Sequence, residues 1–176
     1  IILSMARVFL CNPPTTELVR TPLLSFLYLA AALRRAGHEV AVLDASAPSA
    51  PKTAEAIAER IATFAPDLVG LHIKTLYVQP AYALAQALSQ RSDVPLVAGG
   101  PHATVCPEEP LHHGYTYVLR GEAEESLCEL ADAVDGKREL STIRGLCYRK
   151  HSGLFFNEER GFLLDLDALA PPLSAL

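Results

Sequence analysis

The 176-residue chain carries 15 Lys and Arg against 20 Asp and Glu, a net charge of −5, and is 50% hydrophobic and 20% charged, the composition of one globular domain. No apolar run approaches the roughly 18 residues needed to span a bilayer, and no block of basic residues offers the patch from which nucleic-acid binding draws its affinity. Neither a membrane nor a nucleic acid is expected as a partner.

Ile1 to Ser4 precede Met5 without basic residues or a long apolar core, so they read as residues foreign to the natural chain and not as a signal peptide. Arg7 to Cys11 is a short β-branched and aromatic run ending at Asn12-Pro13-Pro14, a buried strand followed by a loop. Leu24 to Arg35 carries Leu24, Leu27, Tyr28, Ala31 and Ala32 at helical spacing and stops at Gly37. Glu39 to Leu43 is the second strand, with Asp44 at its carboxyl end. Thr53 to Phe64 is the second helix, with Ala56, Ile57, Ile61 and Phe64 on one face. Leu68 to Ile73 and Pro95 to Ala98 are further strands around a helix from Pro80 to Gln90. Tyr117 to Leu119 is the fifth strand, before a helix from Glu124 to Val134. Such alternation predicts a parallel sheet covered by helices on both faces, with ligands at the carboxyl ends of the strands.

After Gly136 the pattern changes. Gly145 to Arg149 and Leu154 to Asn157 flank Lys150-His151-Ser152-Gly153 and read as a β-hairpin. Asp165 to Pro172 is acidic and proline-terminated, like a linker. The expected organisation is a lead-in over 1–4, a main domain over 5–140, a hairpin extension over 141–164 and a linker over 165–176. The four cysteines, Cys11, Cys106, Cys128 and Cys147, form no Cys-x-x-Cys pair, so no metal or cluster site is spelled locally. Each reads as a small buried or half-buried residue of a reduced, cytoplasmic protein.

The most informative stretch is Val97-Ala98-Gly99-Gly100-Pro101-His102-Ala103-Thr104, a strand running into paired glycines and a polar loop. Glycine lacks Cβ, so the pair permits positive φ and clears a shelf for a flat ligand. A tight turn is the alternative reading of these residues alone.

The order and spacing of several segments resemble the amino-terminal cobalamin-binding domain that precedes the catalytic domain in many radical S-adenosylmethionine enzymes. These are Leu27 to Arg34 with Gly37-His38-Glu39-Val40, then Asp44, Pro66-Asp67-Leu68-Val69-Gly70, Gly99 to Thr104, Pro107-Glu108-Glu109 and Arg120-Gly121-Glu122-Ala123-Glu124. The resemblance implies a flavodoxin-like, Rossmann-like five-stranded parallel sheet plus the hairpin. It implies a corrin ring across the carboxyl ends of the strands and a nucleotide tail beside the glycines. The cofactor-binding residues it implies are Asn12, Pro13, Pro14, His72, Thr75, Leu76, Gly99, Gly100, His102, Ala103, Thr104, Gly121 and Glu122. On the same ground, Gly100→Val is expected to abolish cobalamin binding with the fold largely intact.

The Asp-x-His-x-x-Gly loop common in the wider cobalamin-binding fold is replaced by Asn12-Pro13-Pro14-Thr15-Thr16-Glu17, without histidine. Cobalamin is therefore expected with its own base displaced and no protein histidine on the cobalt. His72 and His102 are expected to touch the tail or the ring edge. His72 in its apolar strand reads equally as a hydrogen-bonded core residue, and His38 reads as structural. Asp44 could bind a ribose hydroxyl or cap a turn. Glu124 and Glu125 are helix-start residues favoured by the dipole.

The Cys-x-x-x-Cys-x-x-Cys cluster motif is absent from this sequence. The iron–sulfur cluster and S-adenosylmethionine are thus assigned to a downstream radical domain of the same polypeptide, a methyltransferase or related radical enzyme, and this segment alone is expected to be non-catalytic. Two functional readings stand: a cobalamin-holding module, or a vestigial domain that has lost the cofactor and serves packing or substrate recognition. A flavin or nucleotide enzyme fits the alternation but lacks a phosphate-binding loop.

Overall fold

The computed structural model describes residues 5–16, 23–165, 167 and 169–172. The lead-in over 1–4, part of the first loop and part of the expected linker lie outside them. Seven strands form one sheet in the order β2-β1-β3-β4-β5-β6-β7. They are β1 (Arg7–Asn12), β2 (Glu39–Asp44), β3 (Leu68–His72), β4 (Leu96–Gly99), β5 (Tyr117–Leu119), β6 (Leu146–Lys150) and β7 (Gly153–Phe156). The first five run parallel, with β1 between β2 and β3, the flavodoxin-like order. The hairpin is not an appendage to a five-stranded sheet: β6 pairs antiparallel with β5, Val118 opposite Cys147, and β7 continues from it. Its inner residues Leu146, Cys147 and Tyr148 are buried, so it extends both layers of the core.

Strand residues alternate between two apolar layers, as the pleat requires. Val8, Leu10, Val97 and Leu119 face helices α1 (Leu24–Arg35) and α6 (Glu124–Val134). Phe9, Cys11, Val69 and Ala98 face α2 (Ala54–Phe64) and α3 (Val78–Ser89). Thr53 caps α2 by accepting from the Ala56 amide at 3.3 Å. The buried stripe of α1 is Phe26, Ala30, Ala31 and Leu33, rotated from the one its spacing suggests. Leu24 is exposed there, because α6 packs along the other flank.

The segment after Gly100, expected as a loop, is helical. Short helices α4 (Pro101–Val105) and α5 (Glu108–His112) follow β4 in succession, α4 opening on a proline, which suits a first turn that needs no amide donor. His112 and His113 are exposed, whereas Pro110 and Leu111 beside them are buried. All four cysteines are free; Cys11 and Cys147 are buried, Cys128 is half-buried and Cys106, against expectation, is exposed at the end of α4. Among the described residues no helix is long and apolar enough to cross a membrane.

Candidate functional site at the carboxyl edge of the sheet

On the α1/α6 face, at the carboxyl ends of the strands, lies a groove of about 440 Å³, within the range of small-molecule sites. Its floor is Leu10, Gly70, Val97 and Leu119; Phe26 and Leu29 of α1 form one wall, and Ala123 and Leu127 of α6 the other. Gly70 shapes the floor: a Cβ there would meet Leu10 Cδ2 at 2.8 Å, so Leu10 lies across a strand position that has to be bare. The rim is made by His72, Gly99, Gly100, Thr104, Gly121 and Glu122.

The two glycines after β4 have different reasons to be glycine. A Cβ on Gly99 would meet nothing within 4 Å, so the bare backbone there borders open groove. Gly100 has φ +99°, and a Cβ on it would come within 2.9 Å of the His72 ring and 3.0 Å of the Ile73 carbonyl oxygen. That carbonyl accepts the His102 amide at 3.1 Å. Gly100 is thus required by the turn itself, and the expectation that Gly100→Val spares the fold is corrected: the side chain would push against backbone. The rim is tied across the groove by Thr104, whose hydroxyl donates to the Gly100 carbonyl and accepts from the Gly121 amide, both at 3.0 Å. Gly121 itself has φ +73°. Glu122 is half-buried, its Oε2 accepting from the Leu163 amide at 2.7 Å.

His72 stands edge-on to Phe26, ring centroids 6.0 Å apart at 88°. Burial, with a smaller push from Lys74 and against the pull of Asp44, lowers its pKa from the ordinary 6.5 to about 4. The imidazole is neutral near pH 7 and serves as an apolar-tolerant edge of the groove.

Of the sequence-predicted residues, the structure brings His72, Gly99, Gly100, Thr104, Gly121 and Glu122 to the groove. Asn12, Pro13, Pro14, Thr75, Leu76, His102 and Ala103 are not in its lining. Leu76 projects from the edge, 86% exposed. Asn12 is buried and donates to Asp44 at 2.8 Å. That carboxylate also takes the amide of Ser46 at 3.0 Å and its hydroxyl at 2.5 Å, so Asp44 caps the turn after β2. His102 is buried on the opposite face, beside Thr75 and Tyr82. The walls Phe26, Leu29, Val97 and Leu127 escaped the sequence reading because a lining residue and a core residue share one periodicity. The signal that was available is Gly70, a glycine inside an apolar strand.

The groove can hold a mainly apolar, flat group and present a backbone edge to whatever lies above it. The model for the B12 binding domain matches residues 19–131. An uncharacterized methyltransferase of Pyrococcus horikoshii, PH0819, is 31% identical over 97% of this chain and 38% of its own length. The anaerobic magnesium-protoporphyrin IX monomethyl ester cyclase of a Synechocystis species is 26% identical over 92% of the chain and 34% of its own. The structure of the radical S-adenosylmethionine methyltransferase TsrM of Kitasatospora setae, with cobalamin and a [4Fe-4S] cluster bound, superposes with a TM-score of 0.75. It is 25% identical over 96% of this chain and 31% of its own. The cobalamin-dependent radical enzyme OxsB, with aqua-cobalamin bound, shares the fold with a TM-score of 0.80 at 18% identity over 90% of this chain and 23% of its own. This chain therefore spans about a third of the curated relatives it matches. With the matched model covering well over half of its residues, the chain belongs to the B12 binding domain family.

Proposed function

We propose that the chain is the cobalamin-holding module of a larger radical S-adenosylmethionine enzyme, a methyltransferase or an enzyme of related radical chemistry. The observation that carries this reading is the apolar groove that opens at the carboxyl ends of β3 and β4 beside the bare edge of Gly99. Cobalamin, when bound, supplies a cobalt centre able to carry a methyl group.

The chain's own residues supply position and exclusion. Phe26 and Leu127 would flank a nucleotide tail in the groove, and Gly70 and Gly99 would leave it room. Gly99, Gly100 and the exposed Thr75 and Leu76 would border the corrin at the strand ends. Neutral His72 closes one side without placing a charge beside the tail, and Thr104 holds the two rim loops at fixed separation. The loop after β1 has no histidine from Asn12 to Leu24, so that loop would offer a bound cobalt no imidazole. An open groove and an unobstructed Gly99 favour this reading over a domain that has lost its cofactor. The cluster and S-adenosylmethionine belong to another domain of the same polypeptide, and this segment alone has no turnover.

Titration with hydroxocobalamin, followed by reduction and electron paramagnetic resonance of the cobalt(II) form, tests the reading. The expected result is one cofactor per chain and a base-off spectrum without nitrogen splitting. Absence of binding overturns the proposal. Nitrogen superhyperfine splitting that vanishes in His72→Ala or His102→Ala overturns the assignment of the lower face.

A further inference from the structure

On the face of the sheet away from the groove, His102, Cys106 and Glu109 bring an imidazole nitrogen, a thiol sulfur and a carboxylate oxygen within 4.8 Å of one another. We propose that these three side chains form a binding site for a thiophilic divalent cation, zinc being the best match, with a fourth position open to solvent. The inference is independent of what the groove holds.

The local backbone creates the cluster. Cys106 is one turn beyond His102 and donates its amide to the His102 carbonyl at 2.8 Å, which puts the two side chains on one flank. Pro107 then redirects the chain into α5, whose first turn carries Glu109. The ligand atoms are already oriented by neighbours. His102 Nδ1 is 3.3 Å from the Thr75 hydroxyl, which turns Nε2 toward the carboxylate. The Tyr82 hydroxyl donates to Glu109 Oε1 at 3.1 Å, which leaves Oε2 facing the imidazole. A metal-binding histidine characteristically has its other ring nitrogen held in this way, and its carboxylate partner is itself hydrogen-bonded.

The spacing fits a shared ion better than a direct bond. His102 Nε2 and Glu109 Oε2 are 3.3 Å apart, longer than the about 2.7–2.9 Å of a charged N–H···O contact. Two ligands at zinc's bond lengths of about 2.0–2.1 Å, at the tetrahedral angle, are separated by about 3.3–3.4 Å. The 3.5 Å gap from Nε2 to the Tyr82 hydroxyl is likewise too long for a good bond. Burial also divides the roles: the His102 side chain is 7% exposed and fixed, Glu109 is 43% exposed and Cys106 is exposed. An ion can therefore arrive from solvent, and the thiol can swing onto it. Binding converts the Cys106 thiol to a thiolate and releases one proton to the buffer. The mixed nitrogen, sulfur and oxygen set selects against magnesium and calcium, which prefer all-oxygen shells. An ion here would clamp α4, α5, Thr75 and Tyr82 behind the turn that carries Gly99 and Gly100.

The test is titration of cobalamin-free, reduced chain with zinc by calorimetry, and with cobalt(II) as a spectroscopic stand-in, against Cys106→Ser and Glu109→Gln. The expected result is one zinc per chain, thiolate-to-cobalt charge-transfer absorption, and at least a tenfold loss of zinc affinity in each variant. Cys106 is exposed, so its serine variant keeps the fold, as circular dichroism checks. Charge-transfer absorption that persists in Cys106→Ser assigns the metal to another cysteine and overturns the site. Failure of the unaltered chain to bind zinc does the same and leaves the Tyr82–Glu109 hydrogen bond with His102 packed beside it.

Discussion

The two faces of the sheet are covered by similar helices yet end differently at the carboxyl edge. On the α2/α3 face the chain turns back at once: α4 and α5 bring Ala103 and Leu111 into the layer, and Tyr115 fills the space with its hydroxyl donated to the Ala81 carbonyl at 3.2 Å. On the α1/α6 face no described segment returns over the strand ends in this way, and Gly70 and Gly99 withhold the side chains that would have filled the gap. The difference is set by a handful of residues and not by the fold, since both layers are built from the same strands. Gly99 and Gly100, adjacent in sequence, divide between these tasks: one keeps the groove open and the other makes the turn that closes the far face.

Side chains placed on the two glycines in turn should separate these two tasks. Gly100→Val is expected to cost several kcal/mol of stability, as about 1–3 kcal/mol of backbone strain adds to a backbone contact near 3.0 Å. Chemical denaturation measures it, and a loss below 1 kcal/mol would show that the turn relaxes freely. Gly99→Val should leave the denaturation midpoint within the usual scatter of surface changes and weaken cobalamin by at least about 100-fold, which is about 2.7 kcal/mol. Unchanged affinity in that variant would remove Gly99 from the site.

A second contrast separates wall from core. Leu127→Ala and Ile61→Ala each truncate a buried side chain, one lining the groove and the other on the opposite layer. Both should lose about 2–5 kcal/mol of stability. Cobalamin affinity of the folded protein should fall only with Leu127→Ala, by about tenfold. Equal losses would mean that the groove wall and the far layer are not distinguishable in function.

The five parallel strands and four long helices were legible in the sequence because each carries enough residues to display a period. The five-residue helices α4 and α5 show no period, and α4 begins immediately after a glycine pair that reads as loop. Pairing of β6 with β5 was hidden because it joins segments separated by the whole of α6, and local pattern does not specify a partner strand. In the site, His72, Gly99 and Gly100 stood out as breaks in apolar pattern, while Gly121 and Glu122 came only from the family resemblance. Phe26 and Leu127 did not, since lining a groove and filling a core demand the same side chains. The contacts of His102 with Tyr82 and Glu109 were likewise beyond reach, as they depend on how α3 docks beside α4.

A further effect is on acid stability. His72 takes up a proton near pH 6.5 in the unfolded chain and only near pH 4 in the folded one, so the unfolded state binds more protons across that window. Stability therefore falls as pH drops from 6.5 to 4, by at most about 3 kcal/mol from this group. His72→Gln should flatten that limb in urea titrations at a series of pH values, and an unaltered slope would show that the ring is not desolvated. His38, buried and with its pKa lowered first by desolvation, adds a share of the same sign that the variant leaves in place.

If the groove between α1 and α6 receives the nucleotide tail of cobalamin, as proposed, cobalamin should outbind cobinamide, which has the corrin but no tail. Binding of both to the unaltered chain and to Gly99→Val is measured by absorption titration. The account requires cobalamin to bind the unaltered chain at least about 100-fold more tightly than cobinamide, with that preference largely lost in the variant. Equal affinity for the two corrinoids in the unaltered chain would contradict it.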